Sequence, residues 1–124
     1  AWKTGLTDGS GSIMSIPATD GNVVIIGRDD KFIYCYAAST GKLLWKYRTN
    51  GSIKGSAVIT PSKVLVGSSD GNIYMLSLKD GKKLWSFNAG SPVTSSPAVA
   101  DDRFYFLTED GRILAFGNKN VVKK

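Results

Sequence analysis

Protein chemistry depends on side chains that move protons, attack electrophiles or hold metals, and this sequence is poor in all three. It has no histidine, one cysteine (Cys35) and one glutamate (Glu109). A histidine-based triad, a disulfide framework and a zinc site are thereby excluded. Cys35 lies within Phe32-Ile33-Tyr34-Cys35-Tyr36, an apolar-aromatic run that marks a buried, inert thiol and says nothing about redox compartment. Ser68-Ser69 and Ser95-Ser96 offer hydroxyls, but with no base beside them they read as turn and strand-end hydrogen-bonders. Gly9-Ser10-Gly11 lacks the further glycine, or the following Gly-Lys-Ser/Thr, that a phosphate-binding loop needs. Asn50-Gly51-Ser52 fits a glycosylation acceptor in form and a turn in context. The aspartates of Asp20-Gly21, Asp70-Gly71, Asp80-Gly81 and Asp110-Gly111 sit where hairpins need them, so they read as turn formers and not as metal ligands. No catalytic, cofactor-binding or metal-ligating residue is expected, and the chain reads as a non-enzyme.

The sequence bounds the partners as well. The net charge is +6, but the Lys and Arg residues are spread out. The densest groups are Lys82-Lys83 and Lys123-Lys124, which is too little clustering for a nucleic-acid footprint. No apolar run approaches the roughly 20 residues needed to cross a bilayer as a helix, so no membrane insertion is expected. There is no initiator Met and no signal peptide. The chain is therefore expected either to have lost its start or to be a piece of something longer.

What positions these residues is a repeat of 40 residues. Ser-Asp-Gly-Asn-Ile-Tyr at 69–74 recurs as Glu-Asp-Gly-Arg-Ile-Leu at 109–114 and, more loosely, as Asp-Asp-Lys-Phe-Ile-Tyr at 29–34. Gly41-Lys42-Leu43-Leu44-Trp45 recurs as Gly81-Lys82-Lys83-Leu84-Trp85. The same register pairs Ile13 with Ile53 and Val93, and Gly27 with Gly67. Trp2 sits three residues early, with the extra residues assigned to a loop over 7–12. In the second copy, strands are expected at 56–60, 63–67, 72–78 and 82–87, separated by Pro61-Ser62 and by the Asp-Gly turns. Thr40-Gly41 is the matching turn in the first copy. Four short antiparallel strands per 40 residues, with little sign of helix, is the signature of a β-propeller blade. The fold class is all-β, with three such sheets. The expected division is 1–5 as the end of a preceding blade, then blades at 13–47, 53–87 and 93–124, the third with a degenerate last strand. Trp45 and Trp85, with Trp2, are expected to anchor blade to blade from the outermost strand.

The run Gly67-Ser68-Ser69-Asp70-Gly71-Asn72-Ile73-Tyr74-Met75-Leu76, then Asp80-Gly81-Lys82-Lys83-Leu84-Trp85 and Pro92-Val93-Thr94-Ser95-Ser96-Pro97-Ala98-Val99, resembles the PQQ-like (quinoprotein-type) β-propeller repeat. The resemblance covers nearly the whole chain. Departures fall at Ala37-Ala38, at Asp30-Lys31 in place of Asp-Gly, and over 117–124, where no fourth-strand Trp remains. In quinoprotein dehydrogenases this fold binds pyrroloquinoline quinone with a metal ion, using a carboxylate, an amide, a catalytic aspartate, a Trp floor and vicinal cysteines. With one cysteine and its aspartates in turns, this chain does not supply that set, so no cofactor is expected.

Three blades do not close a ring, since about four is the lower limit. The end sheets would expose apolar faces and unpaired edges unless covered. The expectation is therefore a non-catalytic protein-interaction or assembly scaffold that associates with copies of itself, two copies completing six blades. The alternative is a fragment of a larger quinoprotein or propeller enzyme whose site lies in other blades. The resemblance implies a periplasmic or extracytoplasmic setting.

Overall fold

The computed structural model describes residues 17–28, 30–100 and 103–117, together with the backbone of 121–123. Trp2, the segment 1–5, the expected loop over 7–12 and Ile13 lie outside the described residues.

The described chain is all-β. Strands β1 (Ala18–Thr19), β2 (Val23–Gly27), β3 (Phe32–Ala37) and β4 (Leu43–Arg48) form the first sheet in chain order. The second contains β5 (Val58–Ile59), β6 (Lys63–Gly67), β7 (Asn72–Ser77) and β8 (Lys83–Asn88). The third contains β9 (Ala98–Ala100), β10 (Arg103–Leu107), β11 (Ile113–Gly117) and β12 (Val121–Lys123). Each is a four-stranded antiparallel meander, and together they form an unclosed part of a propeller.

The central strands are rich in Val, Ile, Leu and Tyr, and in the second sheet both of their faces are covered by neighbouring sheets. Along β6, Val64 and Val66 face the first sheet, while Leu65 between them faces the third. Two cores result. One lies between the first and second sheets, around Ile25, Ile33, Cys35, Trp45, Ile53 and Leu76. The other lies between the second and third, around Leu65, Ile73, Val93, Phe106, Leu114 and Phe116.

Two elements differ from the sequence expectation. The first strand of the second blade is two residues long instead of the five of 56–60. On one side Ser56 N is drawn to the third blade, donating to Ser96 Oγ at 2.9 Å, and on the other Thr60 already belongs to the hairpin turn, its N donating to the Lys63 carbonyl at 2.9 Å. Lys31, which replaces the hairpin glycine, nevertheless adopts φ +76°. It keeps the repeat's left-handed turn at the cost of the Cβ crowding that glycine avoids.

Candidate functional site

The sheet-to-sheet junctions concentrate the residues singled out by the repeat. Each junction contains a knob and a notch. Ile53, in the segment linking the first two sheets, lies over Gly27, where a Cβ would come within 2.1 Å of Ile53 Cγ2. Val93 lies over Gly67 in the same way, at 2.4 Å from its Cγ1. The backbone fastens both contacts: Ile53 N donates to the Arg28 carbonyl, and Val93 N to the Ser68 carbonyl. The period pairs these residues correctly, yet local sequence reads Gly27 and Gly67 merely as strand ends.

Trp45 and Trp85 occupy the outermost strands, β4 and β8, at equivalent positions. Trp45 is buried, and its Nε1 donates to the Leu78 carbonyl of the second sheet at 2.8 Å. Its ring lies over Gly81, whose missing Cβ would be 2.5 Å from the indole. Trp85 is half-buried and meets Phe116 edge-on, with ring centroids 5.4 Å apart. The third sheet's last hairpin is shorter, Phe116 pairing with Val121 where Leu76 pairs with Lys83, so the position that matches Gly81 falls outside the described residues.

The Asp-Gly turns divide into two kinds. The turn glycines Gly21, Gly41, Gly71, Gly81 and Gly111 have φ of +93°, +77°, +92°, +75° and +90°. Asp20 accepts from the Asn22 and Val23 amides, which hold its carboxyl below the usual value. Asp80 accepts from the Lys82 amide within its own exposed turn, and its carboxyl is likewise lowered. Asp110 is lowered mainly by the Thr108 hydroxyl and then by Arg112, whose Nε lies 3.0 Å from Oδ2. Asp70 does more than shape its turn. Its Oδ1 accepts from Asn72 N at 2.8 Å, and its Oδ2 accepts from the Tyr74 hydroxyl at 2.5 Å and from Asn50 N, in the linker after the first sheet, at 3.0 Å. The Tyr74 hydroxyl is correspondingly raised, first by burial and then by this bond. In the first sheet Asp30 accepts from Tyr34 at 2.5 Å and pairs with buried Arg28 at 3.2 Å. Asp70→Ala is expected to destabilise by about 2 kcal/mol, since it strips charged acceptors from a buried hydroxyl and a linker amide. Asp80→Ala should cost a small fraction of that. Urea unfolding of the two variants checks the order.

The chemistry available to these groups is narrow. Among the described residues, no group of three or more Cys, Asp or Glu could hold a metal ion. The oxygens of Asp70 are taken by linker, turn and tyrosine donors, and those of Asp110 by Thr108 and Arg112. These residues do not fit a metal–quinone site. Cys35 is fully buried, and burial pushes its thiol up to about 11, far from a reactive thiolate at neutral pH. A cleft of about 230 Å³ between the second and third sheets is lined by Lys63, Leu65, Met75 and Phe104 among others, with no carboxylate.

Exposed apolar groups are more prominent. Leu43, Leu44 and Leu84 project from the outermost strands. On the third sheet, Leu107 and Ile113 are cross-strand partners at the far ends of β10 and β11, 48% and 55% exposed. They share with Tyr105 the face turned away from the second sheet, because Phe104, Phe106, Leu114 and Phe116 take the opposite one.

Successive four-stranded meanders locked face to face by repeat-spaced contacts define a β-propeller segment built from PQQ-like repeats. The family model described as outer membrane protein assembly factor BamB matches residues 1–121, and the chain belongs to that family. No curated protein matches the sequence. Several solved structures share the fold. BamB from Moraxella catarrhalis is 18% identical with a TM-score of 0.62, over 87% of this chain and 47% of its own. The computationally designed Ika4 protein is 19% identical with a TM-score of 0.81, over 97% and 76% respectively. The quinohemoprotein alcohol dehydrogenase of Comamonas testosteroni is 18% identical with a TM-score of 0.77, over 92% and 20%. The chain thus spans about half the length of the BamB structure and a fifth of the dehydrogenase.

Proposed function

We propose that the chain is a non-catalytic propeller scaffold that holds exposed strands and sheet faces against other proteins, copies of itself among them. The observation that carries this reading is a contrast. The carboxylates of the described turns are spent on turn and junction hydrogen bonds, while Leu107 and Ile113 stand exposed on an end sheet. Contiguous apolar exposure of this kind marks association surfaces in proteins that remain soluble. The family description, an outer membrane protein assembly factor, supports an assembly role and an extracytoplasmic setting. A second reading is favoured by the match to a fifth of a quinohemoprotein dehydrogenase: a piece of a larger enzyme whose quinone and metal site lies in other blades. Mass in solution separates the two. The scaffold reading expects reversible self-association at micromolar concentration. A chain that stays monomeric at high micromolar concentration would favour the enzyme piece.

A further inference from the structure

The two end faces of the three-sheet stack are not alike. On the first sheet, the outward set Val24, Ile26, Phe32, Tyr34 and Tyr36 forms its own cluster, with Ile26, Tyr34 and Tyr36 only 8%, 5% and 6% exposed. On the third sheet, the outward face leaves Leu107 and Ile113 about half exposed, beside a cleft of about 250 Å³ also lined by Ser95, Ala98 and Tyr105. The third sheet also departs from the device used at both internal junctions. Where Gly27 and Gly67 leave notches for Ile53 and Val93, the equivalent position is Leu107, which fills its own notch and projects. A further sheet of this repeat would not find the notch that joins the first three.

We propose that this face binds the same face of a second copy, third sheet against third sheet. The proposal deepens the scaffold reading and rests on it. A projecting Leu107 and an adjoining cleft on one patch are self-complementary under a two-fold axis: the knob of each copy enters the recess of the other. The axis, lying in the plane between the two sheets and perpendicular to β10 near Tyr105, runs the two β10 strands in opposite directions. Arg103, at the start of each, then lies toward Glu109 just past the end of its mate, both exposed and opposite in charge. The head-to-tail alternative, a six-bladed ring, needs the outward face of the first sheet, where Ile26, Tyr34 and Tyr36 are already buried in a single chain.

The test uses the whole chain and two variants. Leu107→Asp with Ile113→Asp places charge at two exposed positions, so the melting temperature should hold while the dimer mass falls to that of a monomer. Leu107→Cys supplies a handle for a short bismaleimide, and fully buried Cys35 does not compete. Two third sheets in contact, about 10 Å apart, bring the two thiols within reach, whereas a ring holds them on opposite sides. Covalent dimers from Leu107→Cys and monomers from the double aspartate are expected. A dimer that survives the aspartates, or that bismaleimide fails to bridge, overturns this surface and leaves self-association standing. A wild-type chain that is monomeric at high micromolar concentration overturns both. Should the aspartate variant not fold, bridging of Leu107→Cys decides alone.

Discussion

Trp45→Ala is expected to destabilise the chain by about 3–5 kcal/mol, the range for truncating a large buried aromatic. That is a large share of the roughly 5–15 kcal/mol that holds a domain folded. Two losses combine: the indole leaves a cavity between the first two sheets, and the Leu78 carbonyl loses its donor. Trp85→Ala should cost less than half as much, because that ring is half-buried and rests against the edge of Phe116. Guanidinium unfolding of the two variants, monitored by circular dichroism, checks both the magnitude and the order. Equal losses would mean that the two junctions are equivalent after all.

Gly81→Ala carries the second large effect. Its φ of +75° penalises any Cβ by about 1–2 kcal/mol. The new methyl would also stand 2.5 Å from the Trp45 ring, adding about 1–3 kcal/mol of overpacking. Gly71→Ala is the control. Its φ of +92° carries the conformational penalty, but the nearest atoms to a new Cβ are 3.7 Å away. The two glycines should therefore differ by the steric part alone. In a Trp45→Ala background the collision disappears, so Gly81→Ala should cost only the conformational part. The cycle should show strong non-additivity, as residues in contact do. Additive losses would contradict the stacked geometry.

Much of the fold is legible from spacing. The 40-residue register, the Asp-Gly turns and the paired tryptophans specify three antiparallel meanders, because hairpin chemistry and strand alternation are local. The less legible features involve residues far apart in sequence. Asp70 looks like any other turn aspartate until Asn50 N is found on its carboxylate, a contact between the linker and the next blade. Equal spacing makes Trp45 and Trp85 look equivalent. Their difference lies in what the next sheet offers: Trp45 lies over Gly81 and donates to the Leu78 carbonyl, whereas Trp85 meets the ring of Phe116. The notches at Gly27 and Gly67 were visible only as a matched pair, and what they receive is a side chain from the following linker. Leu107 in the third place of that series was the available signal that the third sheet ends differently. The short inner strands reflect crowding between adjacent blades, where Gly55 approaches the Ser95 carbonyl, a contact that strand propensity does not encode.

A scaffold whose open sheet face seeks another copy has one direct signature, its mass in solution. Sedimentation equilibrium from low to high micromolar concentration should show the apparent mass rising from 13.3 kDa towards twice that value. A single species of 13.3 kDa across the whole range would contradict the account.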